Sequence, residues 1–157
     1  MKTLAAFLLV LLGATLAFGQ AEMINKKKIL YINSYHNGYA WSDQILQGIR
    51  AGLDKSTVPY DMQIEYMDSK RFDKPHMNET LVKYYLEKYR DTSFDVILVS
   101  DDYAFQFLLA HKEELFPDIP AIFCGVNDFD PARIRGKGTT GVVEYPDFET
   151  NFKIAHE

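Results

Sequence analysis

The chain predicts an α/β fold, an open parallel sheet wound with helices on both faces. Two observations carry this. Short apolar runs ending in polar loops alternate with segments of helical spacing, in the order βαβαβαβ-β. The third run, Phe94–Ser100 (FDVILVS), is almost continuously apolar and demands burial on both faces, whereas the second alternates and suits an edge. Right-handed crossovers then leave a strand order of 2-1-3-4-5, with the winding reversing between strands 1 and 3.

Each element has its own signal. Ile29–Ile32 is an apolar strand that ends at Asn33 and Ser34. Ser42 is expected to N-cap a helix whose stripe is Ile45, Leu46, Ile49 and Leu53, with Gly48 and Gly52 allowing a close approach to the sheet. Met62, Ile64 and Tyr66 alternate with Gln63, Glu65 and Met67 in the half-polar second strand. A second helix follows Pro75, with Leu81, Val82, Tyr85, Leu86 and Tyr89 on its buried side. Asn78-Glu79-Thr80 matches a glycosylation pattern, and Asn78 is read as a helix cap. Tyr103–Phe116 is the third helix, closed by Pro117 and Pro120, and Ala121–Val126 and Gly141–Val143 are the last two strands.

Met1–Ala21 has a lysine at position 2, an apolar stretch and small residues near its end, the pattern of a secretory signal peptide. The expected location is therefore extracytoplasmic or periplasmic, with the folded region running over 22–150 and a new helix beginning within Asn151–Glu157. Apolar residues make up 47% of the chain and charged residues 25%, which excludes a disordered tail or a fibre. The net charge of −5, with no basic run longer than Lys26–Lys28, argues against nucleic acid as a partner. One cysteine, Cys124, cannot form an internal disulfide, and its apolar run predicts an inert buried thiol.

In sheets of this kind a ligand sits outside the carboxyl ends of the strands, at the point where the winding reverses. Strand 1 brings Ser34, Tyr35, His36, Tyr39 and Trp41 there, and strand 2 brings Asp68 and Ser69. Strand 3 brings Ser100, Asp101 and Asp102, and strand 4 brings Asn127 and Asp128. Three aromatics and a histidine within Tyr35–Trp41 expose apolar area unless a planar ligand or the protein itself covers them. Tyr39 and Trp41 either stack on a ligand or pack under the first helix. Asp101 is free to accept hydrogen bonds from a ligand amine or hydroxyl, while Asp102 is expected to cap the helix near Tyr103. The ligand-binding set is thus Ser34, Tyr35, His36, Tyr39, Trp41, Asp68, Ser100, Asp101, Asp102 and Asn127.

Catalytic signatures are missing. The chain has no nucleophile elbow, P-loop, zinc-protease motif or dinucleotide fingerprint, and its four histidines lack metal-ligand spacing. No cofactor or metal is implied. Acidic strand tips also mark phosphoacceptor receivers, but the strand-5 tip carries Glu144 where a receiver needs lysine. A Ser34–His36–Asp101 triad has two members only two residues apart on one loop, without a strained turn. The rival class is an exported α/β hydrolase using Asp68, Asp101 and His36.

ILYINSYHNGYAWSDQILQGIRAGL, IEYMDSKR, FDVILVSDDYAFQFLLAHKEELFPDIPAIFCGVNDF and TTGVVE together resemble the substrate-binding proteins of ABC transporters. The likeness is to the type I periplasmic-binding group of tryptophan/tyrosine type, and to the N-terminal sensor modules of histidine kinases and diguanylate cyclases. It spans about Lys28 to Thr150. The resemblance implies a Rossmann-like first lobe that clamps a small molecule against a second lobe. It implies as partners an ABC permease, or a kinase or cyclase output region beyond a transmembrane tether. An amino acid, amine, nucleoside or modest sugar suits the aromatic and acidic rim. The NSYHNGYAW and FCGVN stretches look most like the sensor modules.

Overall fold

The computed structural model describes residues 26–72, 74–127, 129–144 and 147–156. The expected leader Met1–Ala21 and Asp128 lie outside the described residues. The strands are β1 (Lys27–Asn33), β2 (Tyr60–Tyr66), β3 (Val96–Ser100), β4 (Ala121–Val126) and β5 (Thr139–Val143). The helices are α1 (Ala40–Leu53), α2 (Lys74–Lys88), α3 (Asp101–Leu115) and α4 (Phe148–His156), with a 3-10 turn at Pro131–Ile134. The strands form one sheet in the order β2-β1-β3-β4-β5, parallel throughout. The predicted winding is the observed one. In register, Asn33 lies level with Tyr66 on one side and Ser100 on the other, so the loops leaving β1, β2 and β3 start from one height.

Strand alternation divides the core. Leu30, Ile32, Ile97, Val99 and Phe123 are buried with Tyr85 of α2 and with Phe105 and Leu108 of α3. Phe105 and Phe123 bring their rings to 4.7 Å, and Phe107 meets Tyr85 edge-on at 6.0 Å. Ile29 and Tyr31 point to the opposite face, where Leu53 of α1 shares a shallow groove with Ile29 and Val96. That face opens to solvent over β4 and β5, where Ile122 is 42% and Val142 69% exposed. Phe152 and Ile154 of α4 are also exposed. Among the described residues no helix is long and apolar enough to cross a membrane.

Several local expectations are corrected. Helix α1 opens at Ala40, with Tyr39 at the N-cap position and no side-chain cap. Ser42 instead lies buried in the first turn, and Asp43 Oδ1 reaches back to accept from the Gly38 N–H at 3.2 Å. Gly48 and Gly52 face solvent, with open space where a Cβ would stand, so neither mediates close packing. Leu86 is exposed, because Leu81, Val82, Tyr85 and Tyr89 already fill the stripe of α2. Asn78 lies inside α2 and is no cap. Helix α3 begins at Asp101, two residues before Tyr103, so Asp102 sits within its first turn.

Buried phenols give the fold a pH limit. Burial pushes Tyr31, Tyr85 and Tyr89 well above the ordinary tyrosine range, and the Glu65 carboxylate adds to this at Tyr85 and Tyr89. Unfolded tyrosines lose their protons near pH ~10, whereas the folded ones keep them. Above that pH the unfolded chain binds fewer protons than the folded one, so stability falls as pH rises. Urea unfolding from pH 7 to pH 11.5 should show the tyrosine contribution intact up to about pH 10 and a steep decline beyond it. A tyrosine contribution unchanged to pH 11.5 would show that these phenols are not held neutral.

Candidate functional site

The tip of β1 is tied to the tip of β3 by buried polar contacts. Ser34 Oγ donates to the Ser100 carbonyl at 2.7 Å and accepts from the Ala104 N–H at 2.8 Å. Ala104 belongs to the first turn of α3, whose leading N–H groups have no partner within the helix. Ser100 stands at the N-cap position but makes no side-chain cap. The cap is therefore supplied from another strand. Ser100 Oγ shares a 2.7 Å hydrogen bond with the Tyr31 hydroxyl, which also accepts from Asn33 Nδ2 at 3.0 Å. Ser34 and Ser100 are both fully buried. Neither lines the cleft, and both hydroxyls are engaged in the joint between strands.

The expected meeting of Tyr35 and Asp101 is present. The Tyr35 hydroxyl donates to Asp101 Oδ2 at 2.5 Å. Partial burial and then the Asp101 carboxylate push the Tyr35 phenol well up, so it remains a donor at neutral pH. Asp101 holds φ at +71° and Asp68 at +51°, a left-handed backbone unusual outside glycine, and both stand at strand tips.

Beside this pair lies a cleft of about 570 Å³, within the range of small-molecule sites. Its walls include Tyr35, Asp101 and Asp102 from the expected set. They also include Lys70 and Ser69 after β2, Asn78 of α2, and Tyr103 and Gln106 of α3. The Tyr103 hydroxyl donates to Asn78 Oδ1 and bridges the two helices. Lys70 Nζ sits 4.6 Å from the Tyr35 ring centre and 5.5 Å from that of Tyr39. Sequence reasoning missed Lys70. Its signal was its place directly after the Asp68-Ser69 tip.

The other expected residues stand close by without lining the cleft. Trp41 packs on Gly125, where an added Cβ would come within 2.7 Å of the indole, and it meets the Tyr35 ring at 5.8 Å. Its contact is with the β4 tip and the Tyr35 ring, not the underside of the first helix. Tyr39 supports Tyr35 edge-on at 4.8 Å. His36 Nδ1 and Asp68 Oδ1 face each other at 3.3 Å, an ion pair when the imidazole is protonated, but are misaligned for a hydrogen bond. Asp102 accepts from the backbone N–H and Nδ2 of Asn127 at 3.2 and 3.3 Å, which ties the α3 start to the β4 tip instead of capping α3.

The arrangement can hold a small polar ligand by stacking, hydrogen bonding and charge. The Ser34 proton is committed to the Ser100 carbonyl 2.7 Å away, so Ser34 does not present a free hydroxyl proton to the cleft. Cys124 is half-buried, and burial, helped by Glu144, pushes its thiol up to about 11. Among the described residues no three histidine, cysteine or acidic side chains converge to hold a metal ion. No family model, curated protein or solved structure matches the chain.

Two measurements check this account. Ser34→Ala leaves the Ala104 N–H without its buried partner and should lower unfolding stability by about 1–3 kcal/mol in urea. An unchanged midpoint would remove Ser34 from the joint. At neutral pH Cys124 should react with iodoacetamide roughly 100-fold slower in the folded chain than in the urea-unfolded one, since each pKa unit is about tenfold in thiolate. Equal rates would show an accessible, unperturbed thiol.

Proposed function

We propose that this chain is an extracytoplasmic small-molecule-binding lobe without catalytic activity. It would serve as the substrate-binding component of an ABC transporter or as the sensing module of a histidine kinase or diguanylate cyclase. The observation that carries the reading is the cleft where the winding reverses, with Tyr35 and Asp101 joined across it. Tyr35, from the first of the stretches that resemble the sensor modules, lines this cleft, and this supports the sensor role. The apolar strip left open at Ile122 and Val142 fits a lobe against which further protein packs. A second lobe closing on the cleft would select one of two arrangements, which a permease or an output domain reads. The rival hydrolase reading, built on Asp68, Asp101 and His36, draws no support from Ser34.

A thermal-shift screen of the exported protein against amino acids, amines, nucleosides and sugars tests the proposal. A ligand at 100 times its Kd should stabilise the fold by about 2.7 kcal/mol. Tyr35→Ala, which removes a cleft wall, should weaken that ligand about tenfold or more, near 1.4 kcal/mol. Turnover of ester or phosphoester substrates that is abolished by Asp101→Ala or His36→Ala would overturn it.

A further inference from the structure

The charges lining the cleft are two carboxylates, Asp101 and Asp102, and one ammonium, Lys70. Their pairing is unusual. Among the described residues, neither carboxylate forms an ion pair. Asp101 accepts from the Tyr35 phenol and Asp102 from the backbone N–H and Nδ2 of Asn127, so both are met by dipoles and by no side-chain cation. Lys70 does not neutralise them. Its ammonium lies on the aromatic rings, 4.6 Å from the centre of Tyr35 and 5.5 Å from that of Tyr39. Tyr39 holds Tyr35 edge-on at 4.8 Å, and the phenol of Tyr35 is fixed by Asp101, so the rings are positioned before any ligand arrives. Ring faces beside uncompensated carboxylates attract a cation, and quaternary ammonium ligands are recognised by such cages.

Lys70 is exposed and sits in the turn where the Arg71 N–H bonds back to the Asp68 carbonyl. Its side chain can leave the rings without disturbing a strand or helix. Once it leaves, the cleft keeps both carboxylates and gains the bare ring of Tyr35, with Tyr39 supporting it from outside the lining.

We propose that the ligand of this cleft is a small alkylammonium cation, and that Lys70 is the internal occupant it displaces. The inference rests on the binding-lobe reading above and narrows its ligand class. A competing internal cation lowers apparent affinity by the fraction of molecules whose site is free. An anionic ligand would instead meet two carboxylates at close range in a partly desolvated cleft.

Titration calorimetry on the full chain tests this with choline, tetramethylammonium and 3,3-dimethylbutanol, the last a neutral isostere of choline. Glycine and adenosine serve as a zwitterion and a neutral nucleoside. Lys70→Met keeps the apolar stem and removes the charge, and Lys70→Gln provides a second variant. Choline and tetramethylammonium should bind, the neutral isostere should bind at least tenfold more weakly, and both Lys70 variants should tighten choline about tenfold. Unchanged or weaker choline binding in both folded variants overturns the proposal, as does equal binding of the neutral isostere. Glycine or adenosine binding without the cations overturns it while leaving the binding-lobe reading standing. Absence of binding by all five in wild type and variants overturns it too, and the broader screen then decides the parent reading.

Discussion

Ser34 sits where β1 ends, and the three hydrogen bonds of its hydroxyl and carbonyl hold three segments at once. Its hydroxyl donates to β3 through the Ser100 carbonyl and accepts from α3 through the Ala104 N–H. Its carbonyl accepts from the Ser69 N–H beyond β2. A buried hydroxyl that both donates and accepts fixes distances that apolar packing leaves loose. The loops carrying Tyr35, Lys70 and Asp101 all leave from this joint. The cleft's shape is therefore set in part by a buried residue that does not line it.

Around that joint the backbone is bent where the cleft needs it. Asp68 and Asp101 adopt left-handed conformations that turn the chain sharply off β2 and β3. Such conformations cost on the order of 1–3 kcal/mol each and persist where surroundings enforce them. Asp118, the other described non-glycine residue of this kind, lies in the turn before β4 at the far end of the sheet. Gly125, with φ at +65°, makes room for Trp41, so the indole fills the space above β4. The tryptophan thus closes one side of the rim, and the cleft opens on the side of α2 and α3.

Packing and recognition are divided between the faces of the sheet. One face is filled by α2 and α3 with aromatic contacts such as Phe105 against Phe123. These helices also supply Asn78, Asp101, Asp102, Tyr103 and Gln106 to the cleft wall, so the elements that fill the core also carry much of the site. The other face is covered near β1 and left open at Ile122 and Val142. At the edge, the Glu65 carboxylate accepts from Tyr89 and Lys88, so the polar side of β2 is held by its neighbouring helix.

Strand order and polarity were legible in the chain because they depend on local pattern. The apolar run of β3, with Ile97, Val99 and Ser100 buried and Leu98 half-buried, and the half-polar alternation of β2 fix which strand is central and which is at the edge. The meeting of Tyr35 with Asp101 followed, since adjacent parallel strands deliver their tips side by side. Which hydroxyls would be consumed by the fold was not legible. Ser34 and Ser100 look like rim residues until the register places each opposite the other's backbone or a neighbouring phenol. Ser42 looked like a cap, but the chain turned into α1 with Tyr39 at the N-cap position, three residues sooner. Lys70 is one exposed lysine among many in the sequence. Only the convergence of two loops sets its ammonium over Tyr35 and Tyr39, because ring contacts and charge pairing are decided by distance in space and leave no periodic trace along the chain.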